Sequence, residues 1–152
     1  MSTLSKLALG AMGKLRPKPA LGDSVTLIAL PPPGKHGGLP LVEALAKRHS
    51  TRDFARDALP LPLLSGLLWA AYGMNREDGG RTAASALNAQ EIDVFVVLPT
   101  GAYLYDAGAN ALRLVAASDV RRVTGYQDFV DDAPMDLVYV ADHARMRMVP
   151  AA

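Results

Sequence analysis

The chain has no cysteine, only three histidines and one tryptophan, and 6% aromatic residues in 152 positions. Without thiols there is no disulfide, no thiolate metal ligand and no cysteine nucleophile, so any redox chemistry needs a cofactor. The same absence is compatible with a reducing compartment, and we expect a cytoplasmic protein. No uninterrupted apolar run approaches the roughly 20 residues that cross a bilayer. The piece from Leu4 to Leu15 resembles a secretory leader poorly, because Lys14 and Arg16 interrupt it and no small-x-small cleavage site follows. Charge of one sign is also lacking: 16 basic side chains stand against 15 acidic ones, for a net charge of +1. No global field therefore gathers nucleic acid or an anionic membrane, and any anion site must be local. What is abundant is apolar: 50% of the residues are hydrophobic, enough for one domain with a sizeable core.

The first 38 residues are rich in proline, glycine and lysine, with Pro31-Pro32-Pro33-Gly34 and Gly37-Gly38 as punctuation. They read as a partly disordered leader arm in which only Ser24 to Leu30 is strand-like. From Pro40 a short helix places Leu41, Val42, Leu45 and Ala46 on an apolar face, and Phe54 is expected to fold back onto the core. Leu64, Leu67, Leu68, Ala71 and Tyr72 follow the stripe of a buried helix, with Pro62 in its first turn, Gly73 at its end and Trp69 as packing. After a loop from Met74 to Arg81 and a short helix carrying Ser85 and Asn88, Ile92 to Leu98 reads as a central strand buried on both faces. Gly101–Asp106 and Ala111–Val115 make a hairpin about Ala107-Gly108-Ala109-Asn110. The spacing then predicts a helix from Val115 to Gly125 capped by Ser118, with Arg121 and Arg122 as solvated charges, and a last strand at Met135–Ala141. His143 and Arg145 belong to a polar surface segment. The acidic run from Gln127 to Asp132 has no metal-ligand spacing, and no metal is expected.

Two segments carry chemistry. In Lys47-Arg48-His49-Ser50-Thr51-Arg52, guanidinium forks, a ring nitrogen and a hydroxyl match a phosphate or the edge of a planar heterocycle. The same residues, at a helix C-terminus, would also complement its macrodipole. In Arg81-Thr82-Ala83-Ala84-Ser85-Ala86-Leu87-Asn88-Ala89-Gln90, a side-chain amide could meet the alternating acceptors and donors of a pyrimidine edge, while Ser85 and Asn88 could equally cap or solvate a helix end.

Taken together and in this order, Arg48, His49, Ser50, Arg52 and Phe54, then Ser85, Asn88 and Gln90, resemble the two flavin-contacting segments of the FMN-dependent nitroreductases. Ala84 stands where that family usually has proline. The flanks, including Gly79-Gly80-Arg81 and Ala133-Pro134-Met135-Asp136, are most similar to the branch related to thiazole- and oxazole-forming peptide dehydrogenases. The resemblance covers about Pro40 to Asp142. It implies an α+β fold with helices packed around a central mixed or antiparallel sheet, residues 39–152 being the N-terminal portion of such a domain. It implies FMN as cofactor, held by Arg48, His49, Ser50, Arg52, Ser85, Asn88 and Gln90, with no side chain as a catalytic nucleophile. The implied reaction takes a hydride from NAD(P)H through FMN to a small electron-poor acceptor, or oxidises an azoline in a modified peptide. Such proteins are homodimers that continue past the strand at Met135–Ala141, where they supply a dimer-interface helix, further phosphate contacts and the final strands.

Two other readings compete. One is a non-enzymatic remnant or dimerisation module without a competent flavin site. The other is a nucleic-acid module using Lys47, Arg48, Arg52 and Arg56, which lacks the broad basic surface and interleaved aromatics such modules show.

Overall fold

The computed structural model describes residues 2–20, 22–55 and 57–148, so Arg56 and the last four residues lie outside the described residues. A leading helix α1 (Thr3–Ala11) is followed by two short extended pieces, β1 (Lys18–Pro19) and β2 (Leu27–Ala29). Then come helices α2 (Leu41–Lys47) and α3 (Leu61–Tyr72), the strands β3 (Ile92–Leu98), β4 (Gly101–Asp106) and β5 (Ala111–Ala116), and the bridge β6 (Ser118–Asp119). A single turn α4 (Arg121–Thr124) and the strand β7 (Asp136–Ala141) follow. The main sheet has five strands in the order β2-β5-β4-β3-β7, every pair antiparallel. This is the expected α+β arrangement, with the sheet resolved as antiparallel rather than mixed.

Helix α3 lies against one face of this sheet. Pro60 and Pro62 bound its start, where no amide is missed. Leu64, Ser65, Leu68 and Tyr72 are its buried side chains, and Leu64, Leu68 and Tyr72 form one core with Val94, Val96, Tyr103, Tyr105, Leu112 and Leu30. Ile92–Leu98 is central and paired on both edges: Val94 and Val96 are sealed under α3, and on the other face Val97 is buried and Phe95 half-buried. The hairpin between β4 and β5 forms at the predicted turn. Asp106 accepts from the Ala109 amide at 2.9 Å, and Asn110 adopts a left-handed φ of 47°. From there the Asn110 amide donates to Leu30 O, Pro31 O and Ser65 Oγ at 3.2, 2.9 and 3.3 Å, tying the leader to α3.

Three expectations give way to tertiary contacts. No helix is capped by Ser118: Lys18–Pro19 pairs with Ser118–Asp119, which draws that segment into extended backbone and leaves α4 one turn long. Arg121 is not solvated. Its side chain is 12% exposed, forks onto Asp119 at 2.7 and 2.9 Å and also donates to Ala133 O. Phe54 does not enter the core; it is 38% exposed, with its ring 6.3 Å from that of Phe129. The apolar face of α2 does form, but Leu41, Val42 and Leu45 are 74%, 79% and 62% exposed because no element among the described residues packs on it.

The described part of the leading segment makes specific contacts with the rest of the fold. Ser2 caps α1, and Lys6, fully buried, donates to Gln127 O at 3.0 Å and to Asp131 Oδ1 at 2.6 Å. Thr3 adds a hydroxyl bond to Asp128 at 3.0 Å.

Burial pushes the Asp119 carboxyl up, but the hydrogen bonds and charge of Arg121 outweigh it and hold the group below its ordinary value. A carboxyl depressed in the folded state contributes stability that is complete above about pH 4 and is lost as pH falls through the folded value. Asp119→Asn is therefore expected to cost on the order of 3 kcal/mol at pH 7 by stranding Arg121, with the gap to wild type closing below about pH 4 in urea unfolding. Leu68→Ala, at a fully buried position, is expected to cost about 2–5 kcal/mol in the same measurement at every pH.

Candidate active site

Ser85, Asn88 and Gln90 are brought together by the loop between α3 and β3. The loop is fastened to the end of α3: the Thr82 hydroxyl donates to Trp69 O at 3.0 Å, the Thr82 amide to Gly73 O at 2.9 Å, and the Trp69 indole to Met74 O at 3.1 Å. The expected short helix is a single 3-10 turn at Ala86–Asn88, so Ser85 and Asn88 do not share the face of a regular helix. Leu87, Asn88 and Gln90 all have positive φ, at 52°, 53° and 48°. Left-handed backbone at a leucine costs roughly 1–2 kcal/mol, and such strain persists where surrounding bonds over-determine it, commonly at ligand sites.

The bonds that hold this turn run through Gln90. Its amide N–H donates to Ser85 Oγ at 2.9 Å, its side-chain NH₂ donates to Gly79 O and Asn88 Oδ1, each at 3.1 Å, and its Oε1 accepts from Arg81 Nε at 3.0 Å. Both side-chain amide hydrogens of Gln90 are thus committed to the loop. Among the described residues, the Asn88 NH₂ and the Ser85 hydroxyl proton have no acceptor.

Beside this turn is a cavity of about 390 Å³, lined among others by Tyr72, Arg81, Asn88, Gln90, Tyr105 and Arg145. Arg81, Tyr72 and Arg145 are residues that the sequence reading did not place in a site. Arg81 stacks over the Tyr72 ring at 5.2 Å. Arg145, expected as a surface residue, forks onto Asp93 at 2.9 Å through both terminal nitrogens and donates to Gln90 O at 2.9 Å. Burial raises the Tyr72 hydroxyl above its ordinary value, with Arg81 opposing, and Tyr105 follows for the same two reasons. The one sequence signal for Arg81 was its place at the head of the Ser85–Gln90 segment; nothing marked the tyrosines as its neighbours.

Arg48, His49, Ser50 and Arg52 lie together on the exposed loop after α2. Lys47 is engaged by Glu43 at 2.6 Å, and His49 Nδ1 is 3.0 Å from Lys47 O. Arg48 and Arg52 have no carboxylate within ion-pair distance among the described residues. Arg52 instead lies 5.7 Å from the centre of the Phe129 ring, in a depression shared with Asp53, Asp128, Asp131 and Asp132. None of the four principal cavities among the described residues is lined by both segments. No three His, Asp or Glu side chains converge on a metal position among the described residues, and no helix there is long and apolar enough to cross a membrane.

An antiparallel α+β scaffold that fastens a strained polar turn beside its central strand, with a cationic loop elsewhere on its surface, defines a class, and comparison with known proteins identifies it. The Nitroreductase family model matches residues 45–152, and the chain belongs to that family. A protein from Methanocaldococcus jannaschii is 28% identical over 119 residues, which are 72% of this chain and 60% of that protein. A crystal structure from Ralstonia eutropha superposes with a TM-score of 0.83 at 52% identity, over 90% of this chain and 65% of the other. Each is described as a "putative nitroreductase". The chain thus spans somewhat under two thirds of the length of these relatives.

Leu87 is 74% exposed, so its side chain contributes little packing to offset its left-handed backbone. Leu87→Gly is expected to raise stability by about 1 kcal/mol, read as an increase in thermal midpoint. A decrease would show that the leucine side chain itself holds the turn.

Proposed function

We propose that this chain is the FMN-binding portion of a nitroreductase-type oxidoreductase. The observation that carries the reading is a family match that runs through both the Ser85–Gln90 segment and the cationic loop from Arg48 to Arg52. The donor sets suit FMN. Arg48 and Arg52 are exposed cations without a carboxylate partner among the described residues, as a phosphate contact requires, and Ser50 adds an uncommitted hydroxyl. Asn88 and Ser85 offer the NH₂ and hydroxyl that a pyrimidine edge would accept.

In this reading Arg48, His49 and Ser50 bind the phosphate, and Arg52 stabilises negative charge on the ring system. Asn88, assisted by Ser85, orients the pyrimidine, while Gln90 holds Arg81 and the strained turn in place. When bound, FMN supplies the two-electron chemistry, between a reduced nicotinamide and a small electron-poor acceptor or an azoline in a modified peptide. The protein contributes position and electrostatics, and no side-chain nucleophile is needed.

The separation of the two segments supports a site shared between copies. Two chains in a homodimer, or the part of the family's length that this chain does not span, would bring the cationic loop to the turn. A dimer would also cover Leu41, Val42 and Leu45 of α2, whose exposure in one chain is otherwise a cost. A cytoplasmic location, with reduced nicotinamides at hand, fits the same reading.

Titration of the purified chain with FMN, followed by quenching of flavin fluorescence and size-exclusion chromatography on the same sample, tests it. Saturable binding by a discrete oligomer is expected. Arg48→Ala and Asn88→Ala should each weaken it by about tenfold or more, the scale of one hydrogen bond to a charged or desolvated group. Absence of saturable binding by the wild-type chain would sink the proposal. Unchanged affinity in Arg52→Ala would remove that residue from the site.

A further inference from the structure

The leading helix, which precedes the residues that the family model matches, reaches the cationic loop through one short intermediate. Helix α1 turns Lys6 inward, fully buried, and leaves Leu4 and Leu7 exposed. That is the reverse of a helix packed for apolar burial. A buried ion pair adds little net stability over apolar side chains of the same volume, and its better-attested use is to fix one register.

The register of α1 is set against the 3-10 turn Asp128–Asp132 and the two residues before it. Lys6 Nζ donates to Gln127 O at 3.0 Å and to Asp131 Oδ1 at 2.6 Å. The Thr3 hydroxyl donates to Asp128 Oδ1 at 3.0 Å and accepts from the Asp128 amide at 3.3 Å. At Gly10 a Cβ would stand 2.4 Å from the Tyr126 ring, so the helix backbone rests on that ring. From β1, Lys18 Nζ lies 3.7 Å from the second oxygen of Asp131.

The same turn carries Phe129, whose ring centre is 5.7 Å from the Arg52 guanidinium carbon and 6.3 Å from the Phe54 ring. The first distance is that of a cation–π contact. Among the described residues Arg52 makes no ion pair or side-chain hydrogen bond, so the Phe129 ring is what its guanidinium rests on. Asp128 and Asp131 line the same depression as Arg52. Thr3 engages the first, and Lys6 with Lys18 the second, so the leader holds these carboxylates and Arg52 keeps its donors.

We propose that Lys6 and Phe129 are positioning residues for Arg52: the leading helix fixes the turn Asp128–Asp132, and that turn presents Phe129 as the platform of the anion-binding loop. What Arg52 then meets rests on the flavin reading above; the contacts that place it belong to this one chain.

The test uses the full chain without flavin and reads Arg52 by NMR, through its δ-methylene and Nε–H resonances, which the Phe129 ring current displaces. Their loss in Arg52→Ala assigns them, and Phe129→Leu gives their values without the ring. Lys6→Glu sets a carboxylate against Asp131 and is expected to release α1, and Gly10→Leu to do so by collision with Tyr126. Both should move the Arg52 resonances to the Phe129→Leu values, with the Val94 and Val96 methyls unmoved. Arg52 resonances that stay in place while α1 takes free-peptide shifts would overturn the proposal. So would retention of α1 in both variants, or loss of the Val94 and Val96 signals in both, which would give the leader a role in the core instead. In a second arm, Arg52→Ala and Lys6→Glu should each weaken FMN about tenfold, the scale of one charge-assisted contact. The double variant should lose no more than either alone, and additive losses would overturn the positioning role. Failure of the wild-type chain to bind FMN would remove the flavin reading, and the resonances alone would then decide the placement of Arg52.

Discussion

The burial of Leu64, Leu68 and Tyr72 of α3 against Val94, Val96, Tyr103 and Leu112 is the contact on which the rest is built. At roughly 1.5–3 kcal/mol for each fully buried large apolar side chain, it is the dominant favourable term. Its functional consequence lies at the C-terminal end of α3. Once that helix is fixed, Trp69 and Gly73 are fixed, and their bonds to Thr82 and Met74 set where the following loop begins. The same burial places the Tyr72 ring under Arg81. The polar site is thus an extension of the apolar core, with its reference frame set by packing and its detail by Gln90.

Elements whose signal was local were legible in the sequence. The α3 stripe, the apolar run of β3 and the turn at Ala107–Asn110 each depend on neighbours within a few residues, and each forms near its expected place. Elements decided by distant partners were not. Val115 to Gly125 has the marks of a capped helix, yet residues 18 and 19, about a hundred positions away, claim Ser118 and Asp119 for a bridge. Arg121 read as a surface charge because no nearby acid at helical spacing announced its partner; Asp119 lies two residues before it, across a change of direction. The Ser85–Gln90 segment was visible as a motif, but not Arg81 as its half-buried cation. That role depends on Tyr72, which reaches the same cavity from a different element.

The two polar segments also differ in how much the chain has already organised them. Arg81, Gln90, Ser85 and Asn88 are joined by bonds of 2.9–3.1 Å and need little rearrangement to receive a ligand. The loop of Arg48 to Arg52 is exposed, with few internal bonds, and the helix before it shows its apolar face to solvent. Pre-organisation lowers the cost of binding, and an open loop must be ordered at that moment. The first segment is organised by the chain itself, whereas the second is left open to solvent.

The anchoring of α1 by Lys6 has a meaning in time as well as in energy. Lysine 6 and its partner Asp131 are 125 positions apart, so at translation rates of about 5–20 residues per second roughly 6–25 s pass between their syntheses. Helix α1 is therefore made well before the residues that fix its place. During that interval the leader can carry Lys6 in water, and its docking reports that residues up to at least 131 have been made and have folded around it.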